Sequence, residues 1–539
     1  MRAATALLVP ALLALALTVP GISLESFQHE DEWRNAVMVR EMAARGPTLH
    51  PTLHGERYPD YPPLYFLAAL VPAKLEGRVT PLGLRLPSVL GAVLVAFGTA
   101  LLGLRLGSRR TGLMAGLLVS VLPLFLYEAR RAMIDPLFSG LVMVAIALLA
   151  ASGHEHEEPR GRRVARFALG CAFLTLAFLT KGPLATILLG LALAGGEGLR
   201  FVLVTAPEDR PREDRLLAHR AALVLLVSTV VATIWFVLAF WLGGEIFGLN
   251  LLKLQTWGRF AITEQHQKPF YYYLGTLPAL LPALGFAVVE GVLQVRKSER
   301  MRLSTFAVGW FVLTIVFLSV SRTKRSYYPM PVYPAVALLA AAFFERKRFA
   351  RETTLAFQVI AWLLGLAAAL LALVSVMFHR ESLGLPLALG CAIGAASLLI
   401  FRPRPAAALA FASAFVMAAV SQTALPARAR QHGIHDLASK LRERGIAEIA
   451  ISPGGAHRET FCWELAPSDT EGMPNILSTS NAAQPGPVLA WLAARPAGKR
   501  AVLVNKADAR GQLDSLENRS LETIATEGDA DDLIALVRR

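Results

Sequence analysis

The sequence predicts a polytopic α-helical membrane protein with a small C-terminal α/β domain. Three observations predict it: overall hydrophobicity, a series of apolar runs of spanning length, and the way Lys and Arg are shared out between those runs. Hydrophobic residues fill 54% of 539 positions and mean hydropathy is +0.48, against roughly 45–50% apolar in an ordinary soluble domain. A chain this apolar is solvated largely by lipid.

Runs of roughly 15 to 24 apolar residues, the length that crosses about 30 Å of hydrocarbon as helix, begin near Ala3, Leu84, Gly112, Pro136, Val164, Pro183, Ala221, Tyr271, Leu303, Met330, Leu355, Leu383 and Ala406. They make thirteen predicted spans. The run Pro62–Lys74 is shorter and proline-led and reads as a juxtamembrane or re-entrant helix. Met1–Leu24 carries one Arg ahead of an apolar run longer than a signal-peptide core, so it reads as an uncleaved first span.

Cytoplasmic loops of membrane proteins concentrate Lys and Arg. With the N-terminus inside, every even loop obeys the rule: Arg105, Arg109 and Arg110; Arg160, Arg162, Arg163 and Arg166; Arg210, Arg212 and Arg215; Arg296, Lys297, Arg300 and Arg302; Arg346, Lys347, Arg348 and Arg351; Arg402 and Arg404. Much of the net charge of +14 is therefore a topology signal and an attraction to anionic headgroups. No nucleic-acid partner is needed to explain a pI near 10.0. The predicted location is the inner (plasma) membrane, with a cytoplasmic N-terminus.

Residues 1–426 thus form a membrane domain whose first outer loop is 25–83, and 427–539 form the second domain. In the latter, helix-like Asp436–Arg444 leads into apolar Ile446–Ile451, Val488–Ala494 precedes Ala501–Val504, and Ser520–Ala525 precedes a predicted final helix, Ala530–Val537. Alternating helices and β-prone runs point to an α/β unit, and thirteen spans from an inside start place it on the extracytoplasmic (periplasmic) face. Cys171 and Cys391 lie in spans and Cys462 beyond them, which excludes a disulfide framework and a thiolate metal site. No H-E-x-x-H, P-loop, G-x-G-x-x-G or G-x-S-x-G occurs, so zinc-protease, nucleotide-driven and esterase chemistry find no support.

The odd, outer loops hold the polar residues that could do chemistry. Asp31–Arg45 has an amphipathic helical pattern, with Asp31 in its first turn, where the helix dipole favours the charged form. Two readings stand: a carboxylate that takes a proton from an approaching hydroxyl, or a plain helix cap. The second outer loop, Glu128–Pro136, places Arg130 and Arg131 against the charge rule; Asp135 before Pro136 is either a helix cap or a functional acid. Lys181-Gly182-Pro183 forms the third turn, where the lysine either snorkels or meets a lipid phosphate. The fourth loop, Gly243–Phe270, contains His266, and the fifth, Ser321–Tyr328, is again basic. Three basic outer turns suggest a common anion, which guanidinium groups suit well.

In order, Asp31-Glu32-x-Arg34-x-Ala36-x-x-x-Arg40-Glu41-Met42, Tyr58-x-Asp60-x-Pro62-Pro63-Leu64, Asp135, Lys181-Gly182-Pro183, His266 with Pro269-Phe270-Tyr271-Tyr272-Tyr273, and Lys324-Arg325-x-Tyr327-Tyr328-x-x-Pro331 resemble the polyprenyl-phosphate-sugar glycosyltransferases of the GT-C class, in particular the aminoarabinose transferase and protein O-mannosyltransferase-like group. The resemblance covers roughly Ala3–Phe344. It implies a sugar carried from polyprenyl (undecaprenyl) phosphate to an acceptor hydroxyl on a lipid, glycan or protein at the outer face, with inversion. It implies Asp31 as the catalytic carboxylate with Glu32 beside it, and Arg34, Arg131, Lys181, Lys324 and Arg325 on the donor phosphate. Asp135, Tyr61 and Tyr327 are further site candidates. Asp60 and His266 are candidate ligands of a divalent metal ion; no other cofactor is implied. Many relatives carry an acid followed by lysine where this chain has Asp60-Tyr61, which marks a lost donor contact or a different substrate. The competing classes are a flippase of lipid-linked saccharide, which also wants intramembrane basic residues, and a non-catalytic membrane scaffold.

Overall fold

The computed structural model describes residues 2–23, 27, 30–53, 56–58, 61–150, 158–199, most of 222–241, 267–280, 283–294, 301–346, 350–377 and 381–400, a few positions between 408 and 446, and strands within 448–538. Helix dominates. The chain begins with α1 (Ala3–Thr18), then α2 (Glu30–Arg45), which covers the predicted amphipathic segment. A two-stranded hairpin, β1 (Thr52–Leu53) with β2 (Glu56–Arg57), follows, and the Thr52 hydroxyl donates to Glu41 of α2. Next come α3 (Leu64–Glu76), α4 (Pro81–Leu106), α5 (Arg109–Ser120), α6 (Pro123–Ala129), α7 (Ile134–Leu149), α8 (Arg160–Lys181) and α9 (Leu184–Ala192), the last running into a π-turn at Leu193–Glu197. A 3-10 helix at Tyr272–Leu280 leads to α10 (Ala283–Leu293), α11 (Arg302–Val320), a 3-10 turn at Met330–Val332, α12 (Tyr333–Glu345), α13 (Ala350–Met377) and α14 (Glu381–Ile400).

Among the described residues four helices are long and apolar enough to cross a membrane, and five if one bent pair is a single span. Shorter apolar helices lie in the predicted segments from Ala3, Pro136, Pro183, Ala221, Tyr271, Met330 and Leu383. The predicted span from Gly112 is the bent pair: α5 and α6 meet at 65°. Pro123 opens α6 after the extended residue Leu122; proline lacks the N–H that would continue the α5 ladder, so the helix restarts in a new direction. The predicted span from Ala406 lies largely outside the described residues.

The core forms around α4, which packs on α1, α5 and α7, while α7 packs on α8 and α5 on α12. Small residues let α4 and α7 touch backbone to backbone, the usual way helices gain close packing in lipid. A Cβ added at Gly91 would sit 2.2 Å from the carbonyl carbon of Pro136, and one at Gly140 would sit 2.6 Å from the Gly91 oxygen. This contact locks the height of the N-terminus of α7, where Asp135 lies.

Beyond 446 the described residues are strands: β3 (Glu448–Ile451), β4 (Asn475–Ser478), β5 (Arg500–Asn505), β6 (Leu521–Ala525) and β7 (Leu533–Arg538). They form a five-stranded sheet in the order β4-β3-β5-β7-β6, with β3 parallel to β4 and β5, and β7 antiparallel to β5 and β6. Of the predicted final helix Ala530–Val537, the described part from Leu533 is the strand β7. Its run Leu533-Ile534-Ala535-Leu536-Val537 is apolar throughout, and a short run of that kind has no period that tells strand from helix. The predicted helix Val488–Ala494 lies outside the described residues, as does most of Asp436–Arg444.

Replacing Gly91 by Val should drive side-chain atoms into the α7 backbone and destabilise the protein by about 1–3 kcal/mol or more, read as a lowered Tm in detergent. Val in place of the unenclosed Gly161 should leave Tm unchanged.

Candidate active site

The site is assembled on α2, whose buried stripe includes Trp33, Ala36, Val37 and Met38. Asp31 and Glu32 are adjacent on this helix, roughly 100° apart around its axis, and the structure gives them different surroundings. Glu32 is 0% exposed. Its Oε1 accepts from Arg85 Nε and Nη2, each at 3.1 Å, and from the Ala132 amide at 2.9 Å. Arg85 also donates to the Ile22 carbonyl and stands 5.1 Å from the Phe27 ring centre. Asn35 Nδ2 donates to the Ala132 carbonyl at 2.8 Å, and Ser88 Oγ to the Met133 carbonyl at 2.7 Å. Both polar groups of Ala132 are therefore held by α2. Glu32, read from sequence as a neighbour of Asp31 in the reaction, fastens the turn 130–133 to α2 and to α4 instead.

Asp31 faces the other way and is partly exposed. Arg34 Nη1 donates to its Oδ1 at 2.7 Å, and the Tyr327 hydroxyl donates to Oδ2 at 3.1 Å. Arg325 Nη1 stands 4.0 Å from the same Oδ2. Burial first, then the Asp31 and Asp135 charges, push the Tyr327 phenol far above its usual range, so it stays protonated and remains a donor. Burial works against the charge of Arg325, but the nearby Asp31 carboxylate offsets it, and its pKa is raised.

Alongside, Lys181 Nζ meets Asp135 Oδ1 at 2.5 Å, with the Tyr328 ring centre at 4.9 Å and that of Phe138 at 5.8 Å, within cation–π range. Gly182, with φ of +70°, ends α8 at this lysine and lets the chain reverse into α9, a conformation that costs glycine little. Asp135 makes no side-chain cap: α7 starts at Ile134 after Met133, and the carboxylate goes to Lys181. Tyr61 lies within electrostatic range of Lys181, Arg325 and Tyr327. The structure thus brings Asp31, Arg34, Tyr61, Asp135, Lys181, Arg325 and Tyr327 to one place.

Two predicted phosphate contacts are posted elsewhere. Lys324 is buried and donates to the carbonyls of Lys268, at 3.1 Å, and Ser321. It staples the fourth and fifth predicted outer loops beside the Gln267–Thr323 bridge, and burial lowers its pKa. Arg131 lies over the Tyr127 ring at 3.8 Å and donates to that phenol. Its neighbour Arg130 donates to the Leu17 and Thr18 carbonyls, each at 3.2 Å, at the C-terminus of α1, where a cation suits the helix dipole. Asp60 and His266 lie outside the described residues, and no group of three or more His, Cys, Asp or Glu among the described residues could hold a metal ion.

Two residues stand out that the sequence reading did not assign. Arg85 opens the second predicted span, and a charge at the start of an apolar run is itself a signal that a partner waits inside. Glu128 is 3% exposed, and no hydrogen bond reaches its Oε2 among the described residues. It lies within electrostatic range of Arg131, Asp135 and Asp31.

Comparison with known proteins places this geometry. Residues 6–243 match the family described as dolichyl-phosphate-mannose-protein mannosyltransferase. The chain is 30% identical over 462 residues to the undecaprenyl phosphate-alpha-4-amino-4-deoxy-L-arabinose arabinosyl transferase of Pseudomonas aeruginosa, covering 81% of this chain and 80% of that one. The chain belongs to the polyprenyl-phosphate-sugar glycosyltransferases of the GT-C class. An uncharacterized protein of Aquifex aeolicus is 26% identical over 335 residues, which span 62% of this chain and 63% of that protein. The fold of this GT-C transferase is similar to the crystal structure of ArnT from Cupriavidus metallidurans bound to undecaprenyl phosphate. The TM-score is 0.76 at 19% identity, over 99% of this chain and 98% of that one. It is a multi-pass membrane glycosyltransferase, and the flippase and scaffold readings are not favoured.

Removing one side of the Glu32–Arg85 pair leaves a buried charge alone, which costs about 3–5 kcal/mol. Glu32→Ala should therefore sharply lower Tm and the yield of folded protein, whereas Asp31→Asn, at a partly exposed and polar position, should leave both nearly unchanged.

Proposed function

We propose that this GT-C transferase moves a sugar from undecaprenyl phosphate to an acceptor hydroxyl at the extracytoplasmic face, with Asp31 as the general base. The observation that carries the proposal is the pairing of one partly exposed carboxylate, aligned by Tyr327 and Arg34, with a separate cation, Lys181, held ready on Asp135.

The chemistry follows from charge. As an acceptor oxygen attacks the anomeric carbon, its proton passes to Asp31 and the bond from that carbon to the phosphate oxygen breaks. Negative charge leaves Asp31 and grows on the departing polyprenyl phosphate. Arg325 stands between these two needs: it is 4.0 Å from Asp31 and close to Tyr61 and Tyr328, so it can follow the charge from the base to the phosphate without moving far. Lys181 serves the phosphate from the other side. Fixed cations aimed at developing charge lower the barrier more than cations that must reorganise. Attack on the face opposite the phosphate inverts the anomeric centre. Tyr61, where many relatives carry lysine, offers a neutral hydroxyl to the same region.

The proposal includes the topology read from the sequence, thirteen spans from a cytoplasmic N-terminus. It puts α2, the basic turns and an α/β domain at 427–539 on one side of the membrane. The acceptor is a hydroxyl of a lipid, a glycan or a protein.

Asp31→Asn should lower transfer from undecaprenyl-phosphate sugar by about 10²–10⁴-fold, the usual contribution of a positioned base, with the folded protein retained. Lys181→Met should cost about 10²–10³-fold, as loss of one fixed charge-stabilising group does. Initial rates in membranes normalised to folded protein provide the measurement, and full activity of Asp31→Asn would refute the assignment.

A further inference from the structure

α4 meets the start of α7 along one ridge. Arg85, Ser88 and Gly91 follow one another at three-residue steps, which aligns them along a helix surface, and each reaches a different residue of the stretch 132–136. Arg85 does so through Glu32, which accepts from the Ala132 amide, and Gly91 through its backbone contact with Pro136. Ser88 takes Met133. Its hydroxyl belongs to a residue 0% exposed, donates to the Met133 carbonyl at 2.7 Å and accepts from the Met133 amide at 3.1 Å. A hydroxyl in a helix interior commonly bonds back to the carbonyl four residues earlier. Thr99 of the same helix does this, 2.6 Å from the Val95 oxygen. Ser88 instead gives both of these bonds to a residue 45 positions away.

The residue so held is the one from which α7 starts, and no side chain caps that helix. The first amides of a helix have no partner within it, and helix ends fray, so an uncapped first turn depends on what holds it from outside. Asp135 lies in that turn. Its Oδ1 meets Lys181 Nζ at 2.5 Å, and the ammonium held there lies 4.9 Å from the Tyr328 ring centre. A chain of direct contacts therefore runs from Ser88 through the Met133 backbone and Asp135 to Lys181. A long lysine side chain binds best when its place is set beforehand, because it then need not be ordered at the moment of binding.

We propose that Ser88 is a positioning residue for the donor phosphate: acting through Met133 and Asp135, its hydroxyl sets where Lys181 presents its charge. The proposal deepens the glycosyltransferase reading above and rests on it. Ser88 itself is enclosed and acts only through those contacts.

The test measures the affinity of the purified full-length protein for undecaprenyl phosphate in a double-mutant cycle of Ser88→Ala and Lys181→Met. Ser88→Ala alone should weaken binding by about threefold to tenfold, the worth of one hydrogen bond. In the Lys181→Met background the same change should alter affinity by no more than about twofold, since the group it positions is gone. Thr99→Val removes a buried hydroxyl whose bond stays within α4, and should leave affinity as it is in the wild type. Ser88→Cys keeps a weak donor in place; it serves if Ser88→Ala folds poorly, with a smaller loss and the same dependence on Lys181. Unchanged affinity in Ser88→Ala overturns the proposal, and so does an equal loss in both backgrounds, which a merely structural role predicts. A loss in Thr99→Val that matches the loss in Ser88→Ala overturns it as well. A wild type that does not bind undecaprenyl phosphate, or a Lys181→Met protein that binds it as tightly as the wild type, refutes the phosphate role of the lysine in the underlying reading, and the proposal falls with it.

Discussion

The Glu32–Arg85 ion pair is the constraint on which the rest of the site depends. It is enclosed, it joins α2 to α4, and through the Ala132 amide it also takes hold of the turn between α6 and α7. Buried pairs contribute little net stability, because desolvation nearly cancels their attraction. Their strength is intolerance of alternatives: moving either helix strands a charge. With α2 so fixed, Asp31 is turned toward the 325–327 segment. With the turn so fixed, α7 starts at a set height and Asp135 reaches Lys181. The backbone contact between Gly91 and Pro136 makes the same demand through sterics. Polar and apolar constraints therefore agree on one arrangement, which is what lets a few long side chains from five segments meet.

Much of this was legible in the sequence, and the reasons are particular. Span-length apolar runs and basic even loops report the solvent and need no tertiary knowledge. The amphipathic pattern after Asp31 gave α2, although in the structure residues on every side of it from Glu32 to Met42 are buried. The basic turns read as exceptions to the charge rule drew notice to Lys181 and Arg325, which the structure sets beside Asp135 and Asp31. Other features were hidden. Whether Glu32 reacts or anchors depends on Arg85, 53 residues away, and no local pattern says which of two adjacent acids turns inward. Lys324 and Arg325 look alike in a basic turn, yet one staples loop carbonyls and the other approaches Asp31. The last strand was misread as helix because a run apolar on all sides has no period. The α5–α6 bend was marked by Pro123 alone, inside a run otherwise long enough to be straight.

The same distinction runs through the charged residues of the second outer loop. Arg130 and Arg131 were one signal in the sequence, two cations where the rule forbids them. In the structure Arg130 satisfies the end of α1 and Arg131 lies on Tyr127. Of the two cations read as an exception to the charge rule, Arg130 serves the architecture. Glu128, which carried no signal beyond its place between an aromatic residue and those cations, has the environment least explained by packing.

The Lys181–Asp135 pair has a kinetic side. In the role proposed for Lys181, an incoming phosphate would not find a bare ammonium; it would have to take the lysine from a carboxylate already in contact with it. That exchange weakens equilibrium capture of every anion alike, so stray inorganic phosphate or an anionic headgroup gains little from this lysine alone. It also supplies a ready replacement when the spent lipid phosphate departs, so the lysine never has to be left alone in an apolar setting. An enzyme that must discard a charged product into a membrane on every cycle gains more from such a swap than from a tighter grip.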